Sequence, residues 1–326
     1  MRQKRRFARL GWILMLVILA VSVSGCIQNP FQITNSYESY YAKEEEAETD
    51  NLEGMAADLA VLDAESQNTP GYQSSNYAEL LINDSTNEVM KSYRCFERVY
   101  PASVTKIMTA LLVLENGNLD DEITLDHDIE LNEDGAVVTT LSKGDTLTVN
   151  EAFHGLVVKS ANDCAVILAE YIAGSEEKFV EMMNERAREL GATHTHFANP
   201  HGLHDDNHYT TAYDLYLIFK EVVKHDAYLE IASKKDYTMT YVTADGREVG
   251  EYMQSTDEFL LNTYSVPNGV TLLGGKTGTT SMAKSCLILL TENEAGERFF
   301  SVVMGAATHE DLYNSMTKLL ENIVNN

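Results

Sequence analysis

The sequence predicts a mixed α/β (α+β) fold, in which an antiparallel sheet is built from both ends of the chain and is flanked by helices. Two strand-like runs lie together at about 77–96, and roughly the last hundred residues alternate between strand-like runs and turns. Between these regions, at about 118–224, apolar residues recur mainly at helical spacing. Strands at both ends with helices between them indicate a sheet assembled from distant segments and a mostly helical inserted subdomain.

The first two strands form a predicted hairpin, and the helix after it carries the first candidate residues. "AELLIND", "STNE" and "VMKSYRCF" read as strand, turn and strand, and "YPASVTKIMTALLVLENG" follows from Tyr100. Pro101 suits a first helical turn. The apolar stripe of this helix consists of Val104, Ile107, Met108, Leu111 and Leu112. Ser103 and Lys106 each precede a stripe position by one residue, so they share one flank of the helix beside its buried face.

Four further helices are predicted in the middle of the chain. "NEAFHGLVVK" forms the first, with Asn150 as its cap, and "AVILAEYIAG" forms the second, which ends at Gly174. A third spans about 176–190, and a fourth begins after Thr210 or Thr211. In the last part of the chain "YTMTYV", "LLGGKTGTT", "SCLILLTE" and "RFFSVVMGA" predict strands of the sheet, and "EDLYNSMTKLLENIV" predicts a closing amphipathic helix.

The N-terminal residues have the layout of an export signal. Five basic residues within the first nine precede an apolar run at 10–23, which is too short for a comfortable membrane span. "VSGC", ending at Cys26, resembles a bacterial lipobox, in which the cysteine is lipidated and becomes the mature N-terminus. The resemblance implies a lipoprotein signal peptide at 1–25 and lipid anchoring at the extracellular face of the bacterial cytoplasmic membrane. An ordinary signal peptide and an uncleaved anchor are the alternatives.

Acidic residues outnumber basic residues in the rest of the chain. Residues 26–72 are polar and acidic, which predicts a flexible tether with one short helix at about 52–62, followed by a folded domain at 73–326. The chain has 24 basic and 50 acidic residues and a net charge of −26. Removal of residues 1–25 would take away five basic residues and no acidic one, leaving a net charge of −31. With no basic stripe to neutralise phosphates, nucleic acid is excluded as a partner.

Cysteines and histidines give no signal for a metal or cofactor. Cys95, Cys164 and Cys286 form no CxxC pair, and they are interpreted as buried free thiols in a strand, a helix and a strand, with one disulfide left open. Five of the nine histidines lie within 194–208. Because that segment is a predicted loop, we interpret them as polar loop residues rather than metal ligands. No metal and no cofactor are predicted.

Three short motifs occur in order along the chain. They are "SVTK" at 103–106, "SAN" at 160–162 and "KTG" at 276–278. Each is weak alone, but the first opens a helix after a proline, the second fills a loop between helices, and the third lies on a strand before a hairpin. In these contexts the set is typical of penicillin-binding proteins and class A β-lactamases.

Longer blocks extend this likeness. "YPASVTKIMTALLVLENG", "LSKGDTLTVNEAFHGLVVKSANDCAVILAE", "FANPHGLHDDNHYTTAYDL" and "GGKTGTT" resemble the successive blocks of serine-type D-alanyl-D-alanine carboxypeptidases, the low-molecular-weight penicillin-binding proteins of peptidase family S11. The resemblance covers the chain from about Tyr77 onward. It implies a β-lactamase/transpeptidase-like fold and a penicillin-sensitive enzyme that removes the terminal D-alanine from peptidoglycan stem pentapeptides. Family members often carry a further β-rich domain and a C-terminal amphipathic membrane helix; here we expect the lipidated N-terminus to replace that anchor.

The chemistry of the first motif follows from its residue types. The Ser103 hydroxyl is a poor nucleophile until a base takes its proton. Lys106 can act as that base only when its amine is uncharged, whereas an ordinary lysine is protonated at neutral pH. Burial beside the apolar stripe, with Lys276 as a second positive charge nearby, disfavours the ammonium form. A lysine at the edge of a helix could also simply extend to solvent, but that interpretation leaves the other motifs unexplained.

The family resemblance implies roles for the remaining motif residues. The backbone N–H groups of Ser103 and Thr279 would stabilise the oxyanion, and Ser160 would relay a proton between Lys106 and the leaving amine. The candidate catalytic residues are Ser103, Lys106 and Ser160. Asn162 would hold the penultimate peptide group, Lys276 and Thr277 the terminal carboxylate, and Gly278 would leave room for the substrate beside the strand. The candidate substrate-binding residues are Asn162, Lys276, Thr277, Gly278 and Thr279.

Three alternative functions stay open. A class A-like β-lactamase needs a second carboxylate base in an "ExxLN"-type loop after the SxN motif, and here "ELN" at 130–132 precedes Ser160. Slow release of penicillin is therefore predicted, with β-lactams acting as covalent inhibitors. D,D-endopeptidase or transpeptidase activity differs only in the acyl acceptor. A non-catalytic cell-wall-binding lipoprotein is disfavoured by the intact motifs.

Overall fold

The described residues, at 58–62, 68–131 and 136–324 of the computed structural model, contain nine strands and seven α-helices. The strands are β1 Ala78–Asn83, β2 Glu88–Tyr93, β3 Glu122–Thr124, β4 Thr146–Thr148, β5 Asp236–Val242, β6 Glu248–Gln254, β7 Val270–Thr280, β8 Lys284–Asn293 and β9 Arg298–Ala306. The helices are α1 Lys106–Asn116, α2 Val149–His154, α3 Asn162–Ala173, α4 Glu176–Glu189, α5 Ala212–Val222, α6 Asp226–Ala232 and α7 His309–Val324. A 3₁₀ turn, Ala102–Thr105, precedes α1, and a π-helical turn, Gly155–Lys159, follows α2.

A five-stranded antiparallel sheet joins the two ends of the described chain, in the order β2-β1-β9-β8-β7. Strand β1 is completely buried, and its side chains alternate between two cores. Leu80 and Ile82 enter the larger core with the helices of the middle segment. Leu81 enters the smaller core, which is covered by the apolar face of α7. The predicted α+β fold, with an antiparallel sheet drawn from both chain ends and flanked by helices, is confirmed.

A second antiparallel sheet, in the order β3-β4-β5-β6, was not predicted. The segment at 118–224 is mostly helical, as predicted, but it also contains β3 and β4, which the sequence did not indicate. The placement of "YTMTYV" in the main sheet is wrong. Strands β3 and β4 have three residues each, which is too short for a visible alternation of apolar and polar residues. Strand β5 alternates clearly but pairs with β4 and β6.

Helix termini in the middle segment differ in part from those predicted. Helix α2 begins one residue before Asn150, and its cap is Thr148, whose side chain accepts a hydrogen bond from the N–H of Glu151. The predicted Asn150 cap is therefore wrong, because a threonine two residues earlier already caps the helix. Thr211 caps α5 in the same way, as predicted.

The N-terminal predictions lie largely outside the described residues. The signal peptide at 1–25, Cys26 and most of the predicted tether belong to this part of the chain. Residues 58–62 are not helical, and Ala60 is completely buried, with its N–H and C=O hydrogen-bonded to Tyr216 and Tyr213 of α5. The predicted tether thus ends in a segment that packs on the folded domain. Among the described residues, no helix is both long enough and apolar enough to span a membrane.

Cys95, Cys164 and Cys286 are buried, and no disulfide joins cysteines within the described residues. Cys164 lies on α3 and Cys286 on β8, as predicted. Cys95 lies two residues beyond the end of β2 rather than within a strand.

Candidate active site

Ser103 lies in the 3₁₀ turn immediately before α1, rather than within the α-helix itself. It is partly exposed, while Ala102, Val104 and Thr105 around it are buried. The residue before it, Ala102, has a left-handed backbone with φ of +51°. This conformation is unfavourable for a residue with a Cβ. It is supported by a hydrogen bond of 2.8 Å from Thr105 Oγ1 to the Ala102 carbonyl oxygen. Backbone strain of this kind is often found at functional sites.

The Lys106 amine lies within hydrogen-bonding distance of three oxygens. Its Nζ is 3.1 Å from Ser103 Oγ, 2.7 Å from Asn162 Oδ1 and 2.6 Å from the His201 carbonyl oxygen. The amide oxygen and the carbonyl oxygen can only accept hydrogen bonds. An uncharged amine has two N–H bonds and one lone pair. If its two N–H bonds go to these acceptors, the lone pair is left facing the hydroxyl of Ser103.

The environment of Lys106 favours the uncharged amine. The side chain is 1% exposed. Its pKa lies well below the ordinary lysine value, first because burial removes water from the ammonium and then because Lys276 places a second positive charge nearby. These are the two causes that the sequence predicted for this residue.

Ser160 and Lys276 form the second contact of the site. Lys276 Nζ donates to Ser160 Oγ at 2.9 Å and to the Thr277 carbonyl oxygen at 3.0 Å. Burial lowers the pKa of Lys276 to about 7, while the negative charge of Asp257 opposes that shift. Ser160 ends the π-helical turn in a left-handed conformation with φ of +61°. The hydrogen bond of its hydroxyl is to Lys276, so the predicted relay from Lys106 stays a prediction.

Asn162 begins α3 and closes the site on the helical side. Its Oδ1 is occupied by Lys106, which leaves the Nδ2 end of the amide for a substrate acceptor. Its backbone N–H donates to the Val137 carbonyl oxygen at 2.7 Å. The next residue, Asp163, accepts hydrogen bonds from the N–H and the hydroxyl of Thr139. These contacts hold the segment at 136–141 against the start of α3.

The "KTG" segment lies on β7, which is the last strand of the main sheet. A Cβ at Gly278 would lie 2.9 Å from the backbone nitrogens of Ser103 and Val104. Only glycine therefore allows β7 to lie this near the turn that carries Ser103. Thr277 and Thr279 face the same side of the strand. Their hydroxyls contact Thr256 Oγ1 at 2.5 Å and His309 Nε2 at 3.2 Å, respectively. The structure therefore brings all three motifs, from distant parts of the chain, into one site.

Two histidines of the segment at 194–208 support the site, although neither was assigned a role there from the sequence. The His201 backbone accepts the Lys106 hydrogen bond, and His208 Nε2 lies 2.8 Å from Thr105 Oγ1, in the turn that carries Ser103. Burial lowers the pKa of each imidazole to about 3, so both are uncharged at neutral pH. The signal that could have found them is the block "FANPHGLHDDNHYTTAYDL", which carries part of the family resemblance.

The fold and this site define a class of protein. The structure is similar to a DD-transpeptidase variant from Streptomyces K15, with a TM-score of 0.68, 25% identity and coverage of 77% of this chain and 98% of that chain. It is also similar to a penicillin-binding protein from Listeria monocytogenes in its cefotaxime-bound form, with a TM-score of 0.63, 28% identity and coverage of 78% and 98%. The fold is thus the penicillin-binding protein and transpeptidase fold.

Sequence comparison identifies the family within this class. Residues 63–308 match the Peptidase S11 family, D-alanyl-D-alanine carboxypeptidase. The chain is 34% identical over 249 residues to D-alanyl-D-alanine carboxypeptidase DacF of Bacillus subtilis, and 32% identical over 260 residues to DacC of Escherichia coli. The chain belongs to the D-alanyl-D-alanine carboxypeptidase family. Each match covers 74% of this chain and 60% of the relative.

Proposed function

We propose that the protein is a serine D-Ala-D-Ala carboxypeptidase that removes the terminal D-alanine from peptidoglycan stem pentapeptides. The observation that carries the proposal is the contact between Ser103 and Lys106. The amine is buried, its pKa is lowered, and two oxygens that can only accept hydrogen bonds face it beside the serine hydroxyl. This arrangement suits removal of the serine proton at neutral pH.

Acylation begins when Ser103 Oγ attacks the carbonyl carbon of the D-Ala–D-Ala peptide bond and Lys106 Nζ takes the hydroxyl proton. The resulting oxyanion accepts hydrogen bonds from the N–H groups of Ser103 and Thr279, which lie on elements held together at Gly278. The C–N bond then breaks, and the proton on Lys106 passes to the leaving amine of D-alanine, with Ser160 as the relay. Water attacks the acyl-enzyme in the second half of the reaction and releases the shortened peptide.

Substrate binding is assigned to β7 and to Asn162. Because β7 is the last strand of its sheet, an extended peptide can add beside it through backbone hydrogen bonds. The free Nδ2 end of Asn162 donates to the penultimate peptide group. Lys276 and Thr277 bind the terminal carboxylate, and the proton that Lys276 retains at and below about pH 7 supplies the positive charge.

The test uses the domain without its N-terminal segment, at 58–326, and two readouts. One is D-alanine release from a stem pentapeptide, and the other is covalent labelling by a fluorescent penicillin. We expect the unaltered domain to show both, and Ser103→Ala to show neither. Ser142→Ala, at an exposed serine, is the matched control and keeps both activities. If the Ser103→Ala protein were still labelled, Ser103 would not be the nucleophile and this proposal would be wrong.

Transfer to an amine is the second candidate function, because the similar Streptomyces protein is named a DD-transpeptidase. The acyl-enzyme is the same, and only the acceptor differs. The assay therefore includes an amine acceptor and compares shortened peptide with cross-linked product. A product mixture dominated by the cross-linked peptide would show that transfer to an amine, and not hydrolysis, is the main reaction. Turnover of many penicillin molecules per second would instead indicate a β-lactamase.

We further propose that the protein is exported and held at the outer face of the cytoplasmic membrane by a lipid on Cys26. This proposal is supported by the lipobox-like "VSGC" and by the basic and apolar segments before it. In a bacterial host, the unaltered chain should incorporate labelled palmitate and sediment with membranes, and Cys26→Ala should do neither. Equal labelling of the two chains would contradict lipidation at this cysteine.

A further inference from the structure

A histidine outside the three motifs contacts the proposed carboxylate-binding edge of β7. His309 is the first residue of α7, and its Nε2 lies 3.2 Å from Thr279 Oγ1. Its other ring nitrogen, Nδ1, lies 3.5 Å from Glu258 Oε1. Thr279 lies two residues beyond Thr277 on the same face of the strand, so a carboxylate at Thr277 also approaches the Thr279 hydroxyl.

The protonation of His309 decides which way the Thr279 hydroxyl donates. In the uncharged ring, Glu258 favours the proton on Nδ1, and Nε2 then accepts the hydroxyl hydrogen of Thr279. In the charged ring, Nε2 carries a proton and donates to Thr279 Oγ1. The hydroxyl hydrogen is then free to point at a carboxylate, and the ring adds a positive charge beside it.

We propose that His309 is a positioning residue for the substrate's terminal carboxylate, acting through the Thr279 hydroxyl with Glu258 as the group that orients the ring. The inference rests on the proposed function and names a determinant of its specificity. It predicts that the preference for a free carboxylate over a neutral terminus is greatest when His309 is charged.

Several titratable groups lie around this histidine, and their effects on the pH dependence must be distinguished from its own effect. Glu258 faces the ring from the segment after β6, and Glu310 is the next residue on α7. Tyr264 interacts with both carboxylates. Lys276 also changes charge near pH 7 and belongs to the same proposed carboxylate site. Because Lys276 is present in the unaltered protein and in a His309 variant, a comparison of the two at each pH isolates the histidine.

The experiment measures kcat/KM for two pentapeptides that differ only at the C-terminus, a free carboxylate and a carboxamide. Their ratio reports carboxylate preference, because the acylation chemistry is common to both peptides. At pH 5.5 we expect His309→Ala to lower this ratio by roughly tenfold, the size of a lost charge-assisted hydrogen bond. At pH 8.5 the variant should lose less of this ratio or none of it, because the ring donates to the Thr279 hydroxyl only in its charged form.

The matched control is His194→Ala, since His194 is also an exposed histidine beside a threonine hydroxyl, at 3.4 Å from Thr193. Its ratio should equal that of the unaltered protein at both pH values. Equal ratios for His309→Ala and the unaltered protein at pH 5.5 would overturn the inference alone. A loss of the same size at both pH values would reduce His309 to a structural role. If the unaltered protein released no D-alanine, the proposed function and this inference would fall together.

Discussion

Both lysines of the site are buried, and burial lowers the pKa of each amine, but their neighbours differ. Lys106 has Lys276 as its charged neighbour, which lowers its pKa further. Lys276 has the buried carboxylate of Asp257 as its charged neighbour, which raises its pKa back to about 7. One lysine is therefore suited to accept a proton and the other to hold a positive charge, although both are the same residue type.

This difference predicts the effect of Asp257→Asn on the pH profile. The proposed mechanism requires Lys106 uncharged and Lys276 charged, so kcat/KM should fall as the pH rises through the pKa of Lys276, near 7. Without the carboxylate the Lys276 ammonium is less stable and its pKa drops. We expect the alkaline limb of the profile for D-alanine release to move down by roughly half to one pH unit.

Lys276→Arg provides the complementary test. A guanidinium keeps its charge at all accessible pH values, so the alkaline limb should move far up or disappear, whatever the residual activity. Circular dichroism verifies that both variants are folded. An alkaline limb that stays in place in both variants would show that another group controls it.

At the scale of elements, the turn that carries Ser103 is held between two glycine-containing segments. A Cβ at Gly202 would lie 2.0 Å from the Ala102 carbonyl oxygen, and one at Gly278 would lie 2.9 Å from the Ser103 nitrogen. Backbone thus meets backbone on both sides of the turn. The distance between the Ser103 and Thr279 N–H groups, and hence the proposed oxyanion site, depends on these contacts.

Gly278→Ala should therefore impair acylation. The added methyl group forces β7 and the turn apart by several tenths of an ångström, since its neighbours are backbone atoms. Small displacements of reacting groups lower reaction rates by large factors. We therefore expect the second-order rate constant of labelling by fluorescent penicillin to fall roughly tenfold to 100-fold. Time courses of labelling at several penicillin concentrations give this constant.

Gly250→Ala is the control for that substitution. Gly250 also lies on a strand, β6, but an added Cβ meets a side-chain methyl of Thr238 at 3.2 Å rather than backbone. Labelling should proceed at the unaltered rate. A Gly278→Ala protein that labels as fast as this control would show that the contact does not set the geometry of the oxyanion site.

Contacts within one helical turn could be predicted from the residues themselves, whereas contacts between distant elements could be predicted only where a family motif marks the residues. Ser103 and Lys106 are three residues apart, and the lowered pKa of Lys106 was predicted from its place beside an apolar stripe. The His201 carbonyl comes from 95 positions away. Every residue has a carbonyl, so no residue type marks this one. His309 escaped notice because its role depends on where α7 begins relative to β7.

For the molecule as a whole, the main sheet was predictable because three of its five strands, β7, β8 and β9, are long. Strands β8 and β9 have ten and nine residues and are almost entirely buried. The second sheet was missed because β3 and β4 are short and partly exposed. Strand β4 pairs with β3 on one side and with β5 on the other, and the pairing with β5 joins segments that are distant in the sequence.

The net charge of −26 gives the molecule a property that no single residue sets. A stem peptide with a free carboxylate is itself anionic, so the excess of acidic residues repels it at long range. The buried amine of Lys276 attracts it only at short range. Salt screens exposed charges beyond about 10 Å at 0.1 M, but screens buried groups much less.

Moderate salt should therefore raise activity. We expect kcat/KM for D-alanine release to increase about threefold between 0.01 and 0.15 M NaCl, the effect of roughly one kT of screened potential. A pentapeptide with one acidic side chain replaced by its amide, which keeps the terminal carboxylate, should respond less because it carries less charge. A fall in kcat/KM with salt for both peptides would contradict this prediction. It would mean that attraction by Lys276, and not repulsion by the acidic surface, governs the approach of the substrate.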